Sequence, residues 1–142
     1  MNNDQADGLV LQLHKGMFIT QEQCERLLGV QNNPNNSDYE FALLGLIDKL
    51  TKRSIASKTP LSMAVRNNGI IIHNDEEAVD YHEHQRKCGI KKFKRHKKYG
   101  EILVDQSQLS PEILRRHTNN MVCAQRIKDA IASASKSETQ RV

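Results

Sequence analysis

The chain has 142 residues, a length typical of one domain, and its 21 Lys/Arg and 17 Asp/Glu give a net charge of +4. No apolar stretch is long enough to cross a membrane, and the polar, acidic start does not have the pattern of a signal peptide. Three widely spaced cysteines do not form a disulfide framework, so the composition predicts a reduced, cytoplasmic protein that has no membrane partner.

The first predicted elements are a helix, a short strand and a second helix. Apolar residues at helical spacing predict the first helix over Asp7–His14. Met17–Ile19 is a brief extended run. Thr20 and Gln23 have the spacing of a capping box, and they predict that a second helix follows over Gln21–Leu28.

A third helix and a β-hairpin come next in the chain. Tyr39–Arg53 is the most hydrophobic segment, with apolar residues on more than one face, so we expect it in the core or in a contact between molecules. Two β-prone runs, Leu61–Arg66 and Ile70–His73, flank the turn sequence NNG at residues 67–69. Because asparagine and glycine tolerate positive φ, this pattern predicts a hairpin.

The segment after the hairpin is predicted to contain two helices and a strand. The first helix starts at Asn74 or Asp75 and is ended or bent by Gly89. A basic helix over Ile90–Tyr99 and a short strand over Glu101–Asp105 follow.

The last predicted element is an amphipathic helix that starts at Pro111 and extends to about Ala134. Ser110 has the chemistry of an N-cap, and proline is favoured at the first helical position. This helix is expected to dock on its own chain or to pair with a second copy in a homodimer. The polar residues Ser135–Val142 are predicted to be a disordered tail.

The order helix, strand, helix, helix, hairpin over residues 7–73 resembles winged helix-turn-helix DNA-binding domains, and the segment ITQEQCERLLGV is similar to the first helix of many such pairs. The resemblance implies that the short strand joins the hairpin, which would be the wing. The third helix departs from the pattern because it is apolar and carries Asp48 where a recognition helix presents polar or basic groups. DNA contacts are therefore expected from the wing, through Arg66, Asn67 and Asn68, with a protein-binding winged helix as the alternative.

These elements predict an α+β, mainly helical fold in four parts. Residues 1–80 form the winged-helix-like part, and residues 81–105 form a basic segment. Residues 106–134 contain the C-terminal amphipathic helix, and residues 135–142 form the tail.

The basic segment is the main functional signal in the sequence. Eight Lys/Arg and no acid lie between residues 86 and 98, whereas the rest of the chain has 13 basic and 17 acidic residues. Such a local excess of cations is typical of a surface that binds the phosphate backbone. An acidic protein partner and a solvated helix face are the alternatives. The predicted contacts are Arg86, Lys87, Lys91, Lys92, Lys94, Arg95, Lys97 and Lys98.

No pattern in the sequence predicts a metal site, a cofactor or catalysis. His82, Glu83, His84 and Cys88 are close in sequence, but there is no CxxC or HxxxH pair to supply four zinc ligands. The GxSxG, GxxxxGK[ST] and GxGxxG motifs are missing as well.

The sequence therefore predicts a nucleic-acid-binding regulator of transcription or replication that is not an enzyme, with DNA as the expected target and RNA as an alternative. Its small size and polar composition would suit a bacterial or phage accessory protein. The alternative function is a protein-protein interaction module that antagonises another regulator, with the apolar helix Tyr39–Arg53 as its docking surface.

Overall fold

Five α-helices and a three-stranded antiparallel sheet make up the structure, a computed structural model that describes residues 1–140. The mainly helical α+β class predicted from the sequence is therefore confirmed. The chain divides into two units, and the boundary between them falls inside a helix, between His82 and Glu83.

The first unit contains α1 (Asn3–Val10), β1 (Phe18–Ile19), α2 (Gln21–Leu28), α3 (Asp38–Ala56), β2 (Met63–Arg66) and β3 (Gly69–Ile72). Helix α4 (Asp75–Leu103) starts in this unit and continues into the second one. The second unit also contains a 3₁₀ turn (Gln106–Gln108) and α5 (Pro111–Gln140).

Local capping sets the bounds of the first two helices. α1 begins four residues before the predicted start, because Asn2 and Gln5 form a capping box. It also ends at Val10 instead of His14, so the predicted bounds of this helix were wrong. α2 has the predicted bounds: Thr20 and Gln23 cap each other, and Gly29 ends the helix with φ 67°.

The sheet has the strand order β1-β3-β2, so the short first strand pairs with the hairpin. Arg66 is paired with Gly69, which leaves Asn67 and Asn68 as a two-residue turn with φ 49° and 60°. Positive φ at both turn residues matches the twist of the two strands. The predicted hairpin is confirmed, with Gly69 belonging to β3 and not to the turn.

Gly69 is required by the close approach of β1. A Cβ at this position would lie 2.2 Å from the backbone oxygen of Ile19. No side chain fits in that space unless β1 and β3 move apart. The pairing of β1 with the hairpin therefore requires a residue without a side chain at position 69.

The core of the first unit lies between the three helices and β3. One face of α3 is buried through Tyr39, Leu43, Leu46 and Leu50, which recur at helical spacing. The other buried apolar residues of this core are Ala6, Val10, Leu13, Ile19, Cys24, Met63, Ile70 and Ile72.

The hydroxyl of Tyr39 donates a hydrogen bond to the backbone oxygen of Asn68, linking the start of α3 to the hairpin turn. Replacement of Tyr39 by phenylalanine will lower the free energy of unfolding by about 1 kcal/mol, because the ring stays in place while the hydrogen bond to Asn68 is lost. Urea denaturation measures the change. The same replacement at the exposed Tyr99 is the control and should change nothing; equal effects at the two sites would contradict the assigned bond.

In the second unit, α4 runs unbroken through Gly89 and Gly100. The predicted break at Gly89 and the predicted strand over Glu101–Asp105 are therefore wrong. A Cβ on Gly100 would lie 2.9 Å from Cε of Met121, so this glycine makes room for a side chain of α5. Such contact offsets the cost of a glycine inside a helix, about 1 kcal/mol.

Helix α5 continues to Gln140, beyond the predicted end at Ala134. The hydroxyls of Ser135 and Ser137 donate to the carbonyl oxygens of Ile131 and Ala134, so both hydroxyls have acceptors within the helix. Residues 141 and 142 of the predicted tail lie outside the described residues. Over residues 1–140, no helix combines the length and apolar composition needed to cross a membrane.

Candidate nucleic-acid interface

Helix α4 places four of the eight cations of the basic run on one of its faces. Lys87, Lys91, Lys94 and Lys98 are spaced by four, three and four residues, so their side chains share one side of the helix. All four are exposed. This set, the lysine stripe, spans about 16 Å, close to five phosphate steps along one strand of duplex DNA.

Arg86, Lys92 and Arg95 are also exposed; Arg95, four residues after Lys91 and three before Lys98, borders the stripe, whereas Arg86 and Lys92 lie on other sides of the helix. Within the stripe, Lys87 has a nearby carboxylate, with its Nζ 3.0 Å from Oε1 of Glu83. Exposed ion pairs of this kind contribute little, so Lys87 remains available to a stronger anion.

Lys97 differs from its neighbours, because only 8% of the residue is exposed. Its ammonium group donates to the carboxylate of Glu101, one turn later on α4. The hydrogen bond from Lys97 and its positive charge hold the pKa of Glu101 below the usual value. The prediction that Lys97 is a free phosphate contact is therefore corrected: it lies in the interior and already has an anionic partner.

Beside the stripe, four lysines and one glutamate line an open cleft of about 410 Å³. Its four ammonium groups and single carboxylate give the cleft a net charge of +3. Lys128 comes from α5, and the basic run did not predict it. The signal available in the sequence was that Lys128 lies one helical turn from apolar positions of α5. The lysine cleft consists of Lys94, Lys97, Lys98, Glu101 and Lys128.

The two units carry opposite charge. The first unit has 7 Lys/Arg and 11 Asp/Glu, a formal charge of −4, whereas the second has 14 and 6, a formal charge of +8. A cation-rich surface attracts polyanions over distances set by salt screening. The excess positive charge that favours nucleic-acid binding thus lies in the second unit.

The three predicted wing residues lie at the tip of the hairpin in the first unit. Arg66 ends β2, Asn67 and Asn68 form the turn, and all three are exposed. The predicted contacts are therefore divided between two units, with the wing in one and the basic run in the other.

The outer face of α3 is apolar and exposed. Phe41 is 73% exposed, and Leu44 and Ile55 are each more than half exposed. These side chains and Asp48 lie on one side of α3, opposite the buried face. A surface of this composition suits contact with a protein better than contact with a phosphate-lined groove.

A polar cluster lies next to this face in the first unit. Oγ of Ser62 is 2.9 Å from Nδ1 of His73 and 3.1 Å from Nε2 of His82. His73 is buried and stacks on Tyr81, with ring centroids 4.8 Å apart. Burial lowers the pKa of His73, an effect that the nearby Glu77 carboxylate partly opposes.

This cluster makes the stability of the first unit dependent on pH. The pKa of His73 is below its ordinary value of 6.5 in the folded protein, so the unfolded chain binds a proton more readily. The resulting stabilisation is complete above pH 6.5 and is lost as the pH falls through the folded pKa. Urea denaturation at pH 7 and pH 5 should show this loss, and the variant His73→Gln should show less of it. The exposed His14→Gln is the control; if it flattens the pH dependence as much, His73 is not the cause.

Among the described residues 1–140, no group of three or more His, Cys, Asp or Glu side chains is placed to hold a metal ion. His84 and Cys88 are neighbours across one turn of α4, with Nε2 and Sγ 3.5 Å apart.

Comparison with protein-family models, with curated proteins and with solved structures finds no match for this chain. The side chains described above are therefore the basis for assigning a function.

Proposed function

We propose that this protein binds nucleic acid, with DNA as the expected target, through the lysine stripe and the lysine cleft of its second unit. The observation that carries the proposal is the alignment of four exposed lysines on one face of α4, beside a cleft of charge +3. We place the protein among regulators of transcription or replication.

Binding would begin with the displacement of counterions from the phosphate backbone by the stripe. Each ammonium group that neutralises a phosphate releases condensed cations, which gives affinity without dependence on base sequence. The cleft would hold one phosphate near Lys94, Lys98 and Lys128. The ion pair of the buried Lys97 with the exposed Glu101 would add only a small net field, because the two charges cancel.

Base readout would have to come from another part of the chain. The element order of the first unit and its β1-β3-β2 sheet support a winged-helix interpretation, in which Arg66, Asn67 and Asn68 reach a groove. Because the outer face of α3 is apolar, we assign contacts with a groove to the wing alone. Phosphate contacts therefore dominate the proposed affinity.

A mobility-shift titration of the full chain with a 30-base-pair duplex, at 50 and 200 mM salt, tests the proposal. Four phosphate contacts should reduce the affinity roughly 100-fold between these concentrations. Single-stranded DNA and RNA competitors determine which nucleic acid is preferred. Failure to shift any of the three at 50 mM salt would disprove nucleic-acid binding.

A second candidate function is the antagonism of another regulatory protein through the outer face of α3. The exposed Phe41, Leu44 and Ile55 favour it, because isolated large apolar residues are common on surfaces but a shared face of them is not. Apolar contact does not weaken with salt. A regulator retained at 0.5 M salt by the natural chain and lost by the Phe41→Asp variant would support this function, and retention by both would exclude this face.

A further inference from the structure

The lysine cleft gathers three cations that form no ion pair. Lys94, Lys98 and Lys128 line it, and none of them forms an ion pair with another residue of the described range 1–140. The fourth lysine, Lys97, is paired with Glu101, the single carboxylate that lines the cleft. An anion that enters the cleft would therefore meet three ammonium groups whose charge is not yet balanced.

Two helices of the second unit build the cleft. Its four residues from α4 lie at intervals of three, one and three positions, so they share one face of that helix. α5 packs against α4 nearby, since a Cβ on Gly100 would lie 2.9 Å from Cε of Met121. The hydrogen bond from Lys97 lowers the pKa of Glu101 most, and the charge of Lys128 lowers it further. This agrees with a position of the Lys128 ammonium group near the carboxylate, where the two helices meet.

Lys97 is the buried part of the cleft lining. It is 8% exposed, and a lysine ammonium group carries three donors. Within residues 1–140 its one acceptor is the carboxylate of Glu101. Buried donors normally have acceptors, so the remaining donors favour a second anion that enters the cleft deeply enough to reach this group.

A phosphate at the end of a nucleic-acid strand fits this arrangement better than an internal one. A phosphate monoester carries a charge of about −1.5 to −2 at pH 7 and has three acceptor oxygens, one for each unpaired ammonium group. An internal phosphodiester carries a single charge. It is also joined to a nucleotide on each side, which keeps it further from the buried Lys97 than a phosphate with one neighbour.

The lysine cleft and the lysine stripe can hold the same strand. Lys94 and Lys98 belong to both, and they form the C-terminal half of the stripe. A strand whose end lies in the cleft can therefore continue along α4 past Lys91 and Lys87, which would contact its internal phosphates.

We propose that the lysine cleft binds the terminal phosphate monoester of a nucleic-acid strand, so that the protein prefers phosphorylated ends to internal sites. The proposal rests on the proposed function, because the lysine stripe must hold the rest of the strand. Charge-assisted hydrogen bonds from Lys94, Lys98 and Lys128 to the terminal oxygens supply the preference.

Competition between short DNA duplexes at 0.1 M salt tests the proposal. Unlabelled duplexes displace a fluorescent duplex from the full chain, and anisotropy measures their affinities. Two 12-base-pair duplexes carry phosphates at both 5′ ends or at both 3′ ends, and a 13-base-pair duplex has hydroxyl ends. At least one phosphorylated duplex should bind about 10-fold more tightly than the hydroxyl-ended one. All three have the same number of phosphate groups, so the difference reports whether phosphates lie at an end.

Two variants assign the preference to the cleft. Lys128→Gln should remove most of it, because Lys128 belongs to the cleft and not to the stripe. Lys136→Gln is the matched control, since it removes the same charge from an exposed position of α5 outside the cleft and should retain the preference. Circular dichroism establishes that both variants are folded.

The outcomes separate this proposal from the proposed function. Equal affinities for the three duplexes would overturn the terminal-phosphate site while nucleic-acid binding stands. An equal loss of preference in the two variants would also overturn it, since the cleft would then not be the cause. If no duplex binds, the proposed function fails together with this proposal.

Discussion

Replacement of Lys91, Lys94 and Lys98 by glutamine will weaken the binding of duplex DNA roughly 100- to 1000-fold at 0.1 M salt. These residues form three quarters of the lysine stripe, and two of them also line the lysine cleft. Each lost phosphate contact removes the release of about 0.9 counterion, so the slope of log affinity against log salt should fall by about 2.7. Glutamine keeps the helix, because its intrinsic helix propensity is close to that of lysine.

The matched control removes the same charge from the first unit. The variant Lys49→Gln, Lys52→Gln, Lys58→Gln changes the net charge equally but leaves the stripe and the cleft intact. Its affinity should change less than about 3-fold, because only charges near the bound phosphates release counterions. Fluorescence anisotropy at four salt concentrations gives both affinity and slope. Equal losses in the two triple variants would mean that total charge, not the stripe, causes binding.

Replacement of Gly69 by alanine will destabilise the first unit by about 3 kcal/mol, near the upper end for overpacked sites. The added methyl group would lie 2.2 Å from the backbone oxygen of Ile19, which is closer than any real contact. A backbone oxygen cannot turn aside as a long side chain can, so β1 and β3 must separate. Separation also breaks the packing of Ile19 and Ile70 in the core.

The control for this variant is the same substitution at Gly8 in α1. No atom lies within 4 Å of a Cβ placed there, so Gly8→Ala should stabilise the protein by about 0.5–1 kcal/mol through the lower entropy of the unfolded chain. Urea denaturation followed by circular dichroism measures both changes. A destabilisation below 1 kcal/mol for Gly69→Ala would show that β1 is not held against the hairpin as described.

Local chemistry made part of this fold predictable from the sequence. The capping box of Thr20 and Gln23 and the turn at Asn67 and Asn68 depend on residues a few positions apart, and both are present. The capping box of Asn2 and Gln5 could have been recognised by the same rule. Apolar spacing alone placed the first helix too late.

Features that depend on distant residues could not be read in this way. Gly100 looked like a helix breaker because the side chain that fills its space, Met121, is 21 residues away. Lys97 looked like its neighbours, and only the packing of the second unit buries it. The contribution of Lys128 to the cleft has the same origin, since it requires α5 to lie beside α4. The sequence predicted the charge, but not which cations remain free.

The opposite formal charges of the two units would also decide which of them a polyanion meets first. A phosphate field attracts a unit of +8 and repels a unit of −4, so the first productive contacts would be made by the second unit.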